Sequence, residues 1–406
     1  MEDPKDHESL SALDAVARQH FHRGDFQQAI GIQKRLVNSA KNNDSWKQAA
    51  ERLAMSQVCA NNFEDGLITQ SALVKRFPAD PSVRANYGAI FARLDKLKRA
   101  RKEMEKALLL GADSIYLHNS LAYVYGQLRL FESSRFHGQK ALVMKDKLAC
   151  SDFEYVRFKL NERKPRAFDY NKPTRNVIAF GLWGNDARYL NGALRNIELC
   201  PVIYPGWNCR FYIDNTVPPG FLNALKKHVI QAQFRGYVNM NVQLVKMIRC
   251  SGHYDFRTIW RFHVANDNSV DRFLVRDADS VINIKERVAV DEWLRSGKRF
   301  HVMRDNHAHT ELILAGMWGG VAGVLPPVNE LLKVFTFDNP LGLDQVFLRK
   351  LVWPLIKADA KIHDRHYHGV LNGEPFSDIG TLPPDKHIGQ NEHAWAIYSK
   401  CPEPPG

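Results

Sequence analysis

The sequence predicts a multidomain chain: an all-α helical repeat domain over residues 1–150, a basic linker over 151–175, and an α/β domain with a mostly parallel, mixed sheet over 176–406. Three observations carry that expectation. Large and small apolar residues recur at a fixed step through the first third, the mark of stacked helical units. A polar, basic, proline-broken stretch follows, from Asn161-Glu162-Arg163-Lys164-Pro165-Arg166 to Lys172-Pro173-Thr174-Arg175. Beyond it, short β-like runs alternate with helical stretches, as strands do with the helices that cover a parallel sheet. A chain of 406 residues has room for two or three such domains, each burying its own core.

In the first third, Phe63, Leu97 and Phe131 are spaced by 34 residues, as are Gly66, Ala100 and Ser134, and Leu73, Ala107 and Ala141. Phe26, Ala29 and Leu36 form an earlier copy displaced by 37, with the extra residues in the polar stretch Lys41-Asn42-Asn43-Asp44-Ser45. A small residue (Ala54, Gly88, Ala122) precedes each large one by nine positions, as two closely crossing helices require. Gly24-Asp25-Phe26-Gln27-Gln28-Ala29 resembles the turn and second-helix start of a tetratricopeptide (TPR) repeat, and the resemblance covers about residues 10–148. It implies a groove for a protein partner, or else a packed scaffold or a surface for self-association.

Four strand-like runs follow: Asn176–Phe180, Cys209–Ile213, Val242–Val245 and Arg272–Val275. Ligands of such sheets bind beyond the carboxyl ends of the strands, which directs attention to residues 181–188, Asp214-Asn215 and 276–280. The sharpest local signal is Arg276-Asp277-Ala278-Asp279-Ser280. If extension continues past the strand, Asp277 and Asp279 point the same way and offer hard oxygen donors to Mg²⁺ or Mn²⁺. A solvated turn or helix cap is the plainer account of the same pair.

Trp260-Arg261-Phe262, Asp277-Ala278-Asp279-Ser280, Glu292-Trp293-Leu294, His301-Val302-Met303-Arg304-Asp305, Gly316-Met317-Trp318-Gly319-Gly320 and Asp344-Gln345-Val346-Phe347-Leu348 stand in that order. Together they resemble a nucleotide-sugar-dependent glycosyltransferase of the GT-A fold with an Asp-x-Asp motif, over residues 176 to about 398. The resemblance implies transfer of a sugar from a nucleotide donor, most simply a UDP-sugar, to a hydroxyl of a protein or glycan acceptor. It makes Asp277 and Asp279 the ligands of a metal and diphosphate. Gly181, Trp183 and Asp214 then lie by the nucleotide, and Arg261 faces the phosphates. Asp305 and Asp344 are the carboxylates for sugar hydroxyls or general base work. The pattern also implies a late histidine as metal ligand. His363 in Lys361-Ile362-His363-Asp364 matches it best, with His366 and His368 as rivals. A non-catalytic TPR scaffold with an inactive glycosyltransferase-like domain is the alternative.

Composition narrows the field. At 45% hydrophobic and 25% charged residues the chain is not of the disordered class. The net charge of +12, divided evenly between the repeat region and the remainder, favours anionic partners. It forms no concentrated stripe with interleaved aromatics, which argues against nucleic acid. GxxxxGK[ST], GxGxxG and GxSxG motifs are absent, removing support for P-loop, dinucleotide and serine-hydrolase readings. Six separated cysteines, no apolar run of membrane-spanning length and no secretory leader predict free thiols and a cytoplasmic location.

Overall fold

The computed structural model describes residues 10–151, 153, 157–234, 242–246, 256–337, 342–380, 382–383 and 386–391. Eight helices come first: α1 (Leu10–Arg23), α2 (Phe26–Ser39), α3 (Asn43–Cys59), α4 (Phe63–Arg76), α5 (Pro81–Arg93), α6 (Leu97–Leu109), α7 (Ile115–Gln127) and α8 (Phe131–Ser151). They pair as four TPR-like hairpins, and the turn inside each hairpin obeys the repeat. Gly24, Asn61, Asp95 and Arg129 all adopt positive φ, at 82°, 61°, 56° and 59°, two residues before the second helix starts. The residue after each donates its N–H back to the first helix: Asp25 to His20 O, Asn62 to Gln57 O, Lys96 to Phe91 O and Leu130 to Tyr125 O. This left-handed cap satisfies carbonyls that the ending helix would otherwise leave open.

The small residues mark the helix crossings. A Cβ on Gly88 would lie 2.6 Å from Met104 Cγ and 3.0 Å from Ala100 O, and Ser134 Oγ donates to Ala122 O at 2.7 Å. Ala100, Met104, Ala107, Leu117, Leu121 and Val124 fill the core between α5, α6 and α7. The extra residues before α3 become its cap, with Asn42 accepting from Ser45 N at 2.8 Å in a reciprocal capping box.

The chain divides into compact units between Ala141 and Leu142, inside α8 and upstream of the expected boundary at 150. The physical reason is that the last turns of α8 belong to the second unit. There Lys145 Nζ donates to Thr310 O and Glu311, and Asp146 accepts from Trp353 and Lys357.

The second unit is built on β1 (Asn176–Leu182), α9 (Ala187–Ile203), β2 (Asn208–Ile213), α10 (Pro219–Phe234), β3 (Val242–Lys246) and β4 (Arg272–Asp277), with a 3₁₀ helix at Phe256–Asn266. It continues through α11 (Ile284–Arg295), β5 (Phe300–Arg304), β6 (Trp318–Val321), α12 (Val328–Lys333), α13 (Leu343–Phe347), α14 (Trp353–Ile356), β7 (Ala360–Asp364) and β8 (Gly373–Glu374). The sheet order is β3-β2-β1-β4-β6-β5-β7-β8, parallel except that β6 runs antiparallel to both neighbours. Ile178, Phe180, Phe211, Ile197, Tyr204 and Trp293 fill one face.

The expected linker is a strap rather than a spacer. Asn161 pairs with Val324 O, and Phe168 packs on Trp207. Arg163, Arg166 and Arg175 converge on Asp271 at 3.5, 3.3 and 3.0 Å. Three of its cations are thus paired with one of the protein's own carboxylates. Cys59, Cys150, Cys200 and Cys209 are free thiols; Cys250 and Cys401 lie outside the described residues. No described helix is long and apolar enough to cross a membrane.

Two glycines separate packing from propensity. Gly88→Val should destabilise the repeat unit by about 1–3 kcal/mol through overpacking. Gly31→Ala, mid-helix in α2 with nothing near its Cβ position, should stabilise it by about 0.5–1 kcal/mol. Urea unfolding of the two variants checks both signs.

Candidate functional site

The chain leaves β1 in one direction to form β2 and β3, and crosses back to place β4 on the other side of β1. That reversal opens a crevice at the carboxyl ends of β1 and β4. Register aligns Gly181 of β1 with Asp277 of β4. A cavity of about 530 Å³ lies there, bounded by Gly181, Trp183, Arg261, Asp277, Asp279 and Asp344. Tyr189, Thr258, Ala278, His387, Gly389, Gln390 and Asn391 complete its wall.

The strand ends at Asp277 instead of continuing, and the chain turns with Ser280 N–H donating to Asp277 O at 3.1 Å. Both acids nevertheless open into the cavity. Asn196 of α9 holds the turn from behind, donating to Ser280 O at 2.8 Å and accepting from Ile282 N–H at 2.9 Å. Two glycines make the close fit possible. A Cβ on Gly192 would overlap Ala278 O, and one on Gly316 would overlap the Asp277 carboxylate.

Electrostatics set the character of the cavity. The buried Arg261 guanidinium is paired with Asp277, lies 3.3 Å from Asp344, and donates to Arg276 O at 3.0 Å. Burial pushes Asp344 up while Arg261 opposes the rise. Burial first, then the neighbouring Asp277 charge, pushes Asp279 up to about 6; Arg188 at 3.4 Å offsets this in part. Asp279 therefore holds its proton more tightly than an exposed carboxylate, although Arg188 stands beside it.

The expected site residues divide accordingly. Gly181, Trp183, Arg261, Asp277, Asp279 and Asp344 come together, but Arg261 is directed at carboxylates. Asp214 lies outside the cavity lining; it accepts from Thr216 N–H and Arg257, and Thr216 Oγ1 accepts from Gly184 N–H. The Arg257 guanidinium stacks over Trp183 at 5.6 Å. Asp305 is also not on the lining. It is buried, with its oxygens taken by Lys285 and the Ile388 N–H.

His363 is not brought to the acids. It lies inside β7 with both ring nitrogens engaged, Nδ1 2.9 Å from His301 Nε2 and Nε2 2.7 Å from Glu292. His366 stacks on His307, ring centroids 3.6 Å apart, and neither it nor His368 lines the cavity. The histidine that does is His387, which the motif reading passed over. Its Nδ1 lies 2.8 Å from Ile388 O; a carbonyl only accepts, so Nδ1 carries the proton and Nε2 keeps its lone pair. Burial lowers its affinity for a second proton. Gly389, two residues on, packs against Met317 at a positive φ of 84°. A histidine two residues before such a glycine was the available signal.

Asp277, Asp279 and His387 thus face one cavity with oxygen and nitrogen donors of the kind Mn²⁺ or Mg²⁺ takes. Among the described residues, no three His, Cys, Asp or Glu side chains are already gathered into a ligating group.

No protein-family model matches the chain, and no curated protein matches it. Among solved structures, MamA of Desulfovibrio magneticus RS-1 is 18% identical, covering 35% of this chain and 78% of its own with a TM-score of 0.31. The TPR protein TTC0263 of Thermus thermophilus is 15% identical over 35% of this chain and 79% of its own, at 0.31. An O-GlcNAc transferase mutant of Thermobaculum terrenum is 14% identical over 60% of this chain and 42% of its own, at 0.34.

A divalent cation held by Asp279 would compete with the proton that burial and the Asp277 charge retain there up to about pH 6, so its affinity should fall about tenfold per pH unit below 6 and level off above it. Calorimetry with Mn²⁺ from pH 5 to 8 measures this; a flat profile overturns it. Gly316→Ala, which displaces the Asp277 carboxylate, should weaken the same binding while leaving the repeat unit's unfolding unchanged.

Proposed function

We propose that the second unit is a nucleotide-sugar-dependent glycosyltransferase of the GT-A type. The observation that carries the reading is the Asp277/Asp279 turn at the switch point of the sheet, sharing a cavity with Trp183, Asp344 and His387. A mixed sheet with one antiparallel strand fits the architecture the motifs imply. The donor nucleotide lies along Gly181 and Trp183 at the end of β1, where the absence of a side chain on Gly181 lets the indole pack close against the strand end. Asp277, Asp279 and His387 hold a divalent cation. Such a cation supplies positive charge against the diphosphate that leaves with the nucleotide.

Asp344 is the carboxylate placed to take the proton from an acceptor hydroxyl. Burial raises its affinity for a proton, while Arg261 fixes one oxygen and Gln345 N–H the other. Arg188, at the start of α9, reaches Asp279 at 3.4 Å with its side chain part-exposed over the Tyr189 ring, and can turn toward an anionic donor. The helical repeats offer a surface for a protein or glycan acceptor, or for a partner that presents one.

A non-catalytic binding domain is the second reading. One observation favours it: Arg261 and Arg188 already offset the acids without any metal.

Titrating UDP-, GDP- and CMP-sugars with Mn²⁺, then with chelator, separates the readings. Metal-dependent binding of one donor class is the expected outcome. Asp344→Asn should keep that binding and lower kcat by about 10²–10⁴-fold. Transfer at the normal rate by the variant removes Asp344 as base, and donor binding without any turnover by the wild type selects the binding domain.

A further inference from the structure

Asp305, turned away from the cavity, holds the segment that carries His387. It follows β5 and is fully buried. Its Oδ1 accepts from Lys285 Nζ at 2.5 Å, and its Oδ2 from the backbone N–H of Ile388 at 2.9 Å. Its own N–H donates to His309 Nδ1 at 3.0 Å. The His309 ring meets His387 edge-on, centroids 5.1 Å apart at 85°. One residue thus fixes the backbone directly after His387 and orients the ring beside it.

The opposite side of the segment is tied to the acidic turn. Ser280 Oγ donates to Gly389 O at 3.0 Å, and Ser280 pairs with Asn391 as an isolated bridge. His387 is therefore clamped between the Asp277–Ser280 turn and Asp305. A neutral acceptor could satisfy the Ile388 N–H. A buried carboxylate paired with lysine carries a desolvation cost and makes a stronger, shorter bond to that N–H, which suits a segment that must not shift.

We propose that Asp305, supported by Lys285 and His309, is a positioning residue that presets the His387 imidazole at the wall of the acidic cavity and thereby sets how tightly the site takes a divalent cation. The inference rests on the reading of His387 as a cation ligand. Asp305→Asn should raise the Mn²⁺ dissociation constant of the full-length protein on the order of tenfold, as loss of a group supporting a ligand does. In a His387→Ala background the same substitution should change it by less than about twofold, because Asp305 acts through that ring. Equal losses in both backgrounds, or none in the wild-type background, overturn the proposal.

A metal-free readout separates this inference from the reading beneath it. The ¹⁵N signals of His387 should show one tautomer, protonated at Nδ1, in the wild type and averaged tautomers in Asp305→Asn. A wild type that binds no Mn²⁺ defeats the cation-ligand reading, while unchanged nitrogen signals in the variant defeat the positioning. If Asp305→Asn does not fold, Lys285→Met with Asp305→Leu removes both buried charges together and carries the same two measurements.

Discussion

The second unit depends on one buried guanidinium. Asp277, Asp279 and Asp344 share a cavity, and burial, with the neighbouring Asp277 charge, favours the protonated forms of Asp279 and Asp344. Arg261 sits between Asp277 and Asp344 with little of its side chain exposed, so the charges it balances are close and weakly screened. Removing the buried Asp344 carboxylate would strand part of a buried cation, a loss of about 3–5 kcal/mol where such pairs are broken, whereas the more exposed Asp277 costs less. Its place is fixed by its neighbours. Phe262 packs edge-on to Trp318 and against Phe347, and Asn266 at the end of the same 3₁₀ helix binds Leu325 O, Pro326 O and Val328 N–H.

Around that ion pair the site is made by backbone more than by side chains. Asn196 spends its amide on the Ala278–Ile282 backbone, and Gly192 and Gly316 give up their side chains so that the acidic turn can press between α9 and the residues before β6. This division explains the sequence Gly316-Met317-Trp318-Gly319-Gly320. Its first glycine accommodates a carboxylate, whereas Gly319 and Gly320 let β6 pass close to Phe273, Leu274 and Phe300 in the sheet.

The repeat unit was legible because its signals are local. Period, crossing residues and turn residues each occupy fixed positions, and the structure adds only that Asn61, Asp95 and Arg129 take the left-handed conformation that Gly24 takes without strain. The strand ends were legible for the same reason, and with them Gly181, Trp183, Asp277 and Asp279. Arg261 and Asp344 were found as residues but not as partners, since the pair joins positions 83 apart in sequence. The basic stretch expected as a linker shows the limit from the other side. Nothing near Arg163, Arg166 or Arg175 reveals that Asp271 is waiting across the fold.

The histidine shows the same limit at the point where it matters most. Lys361-Ile362-His363-Asp364 has the local form expected of a strand delivering a ligand, and it is a strand. Yet β6 and β5 stand between β7 and β4, so a side chain inside β7 faces Glu292 and His301 rather than the acids. Reaching the acids takes a segment that passes back over the carboxyl ends after the sheet is complete, and residues 386–391 do this. That path is set by Ser280, Asp305 and Met317, each distant in sequence from the histidine they locate. A side chain placed by three remote anchors leaves almost no local trace, whereas one placed by its own strand leaves a clear trace. The clearer pattern therefore marked a structural histidine, and the fainter one marked the histidine that faces the cavity.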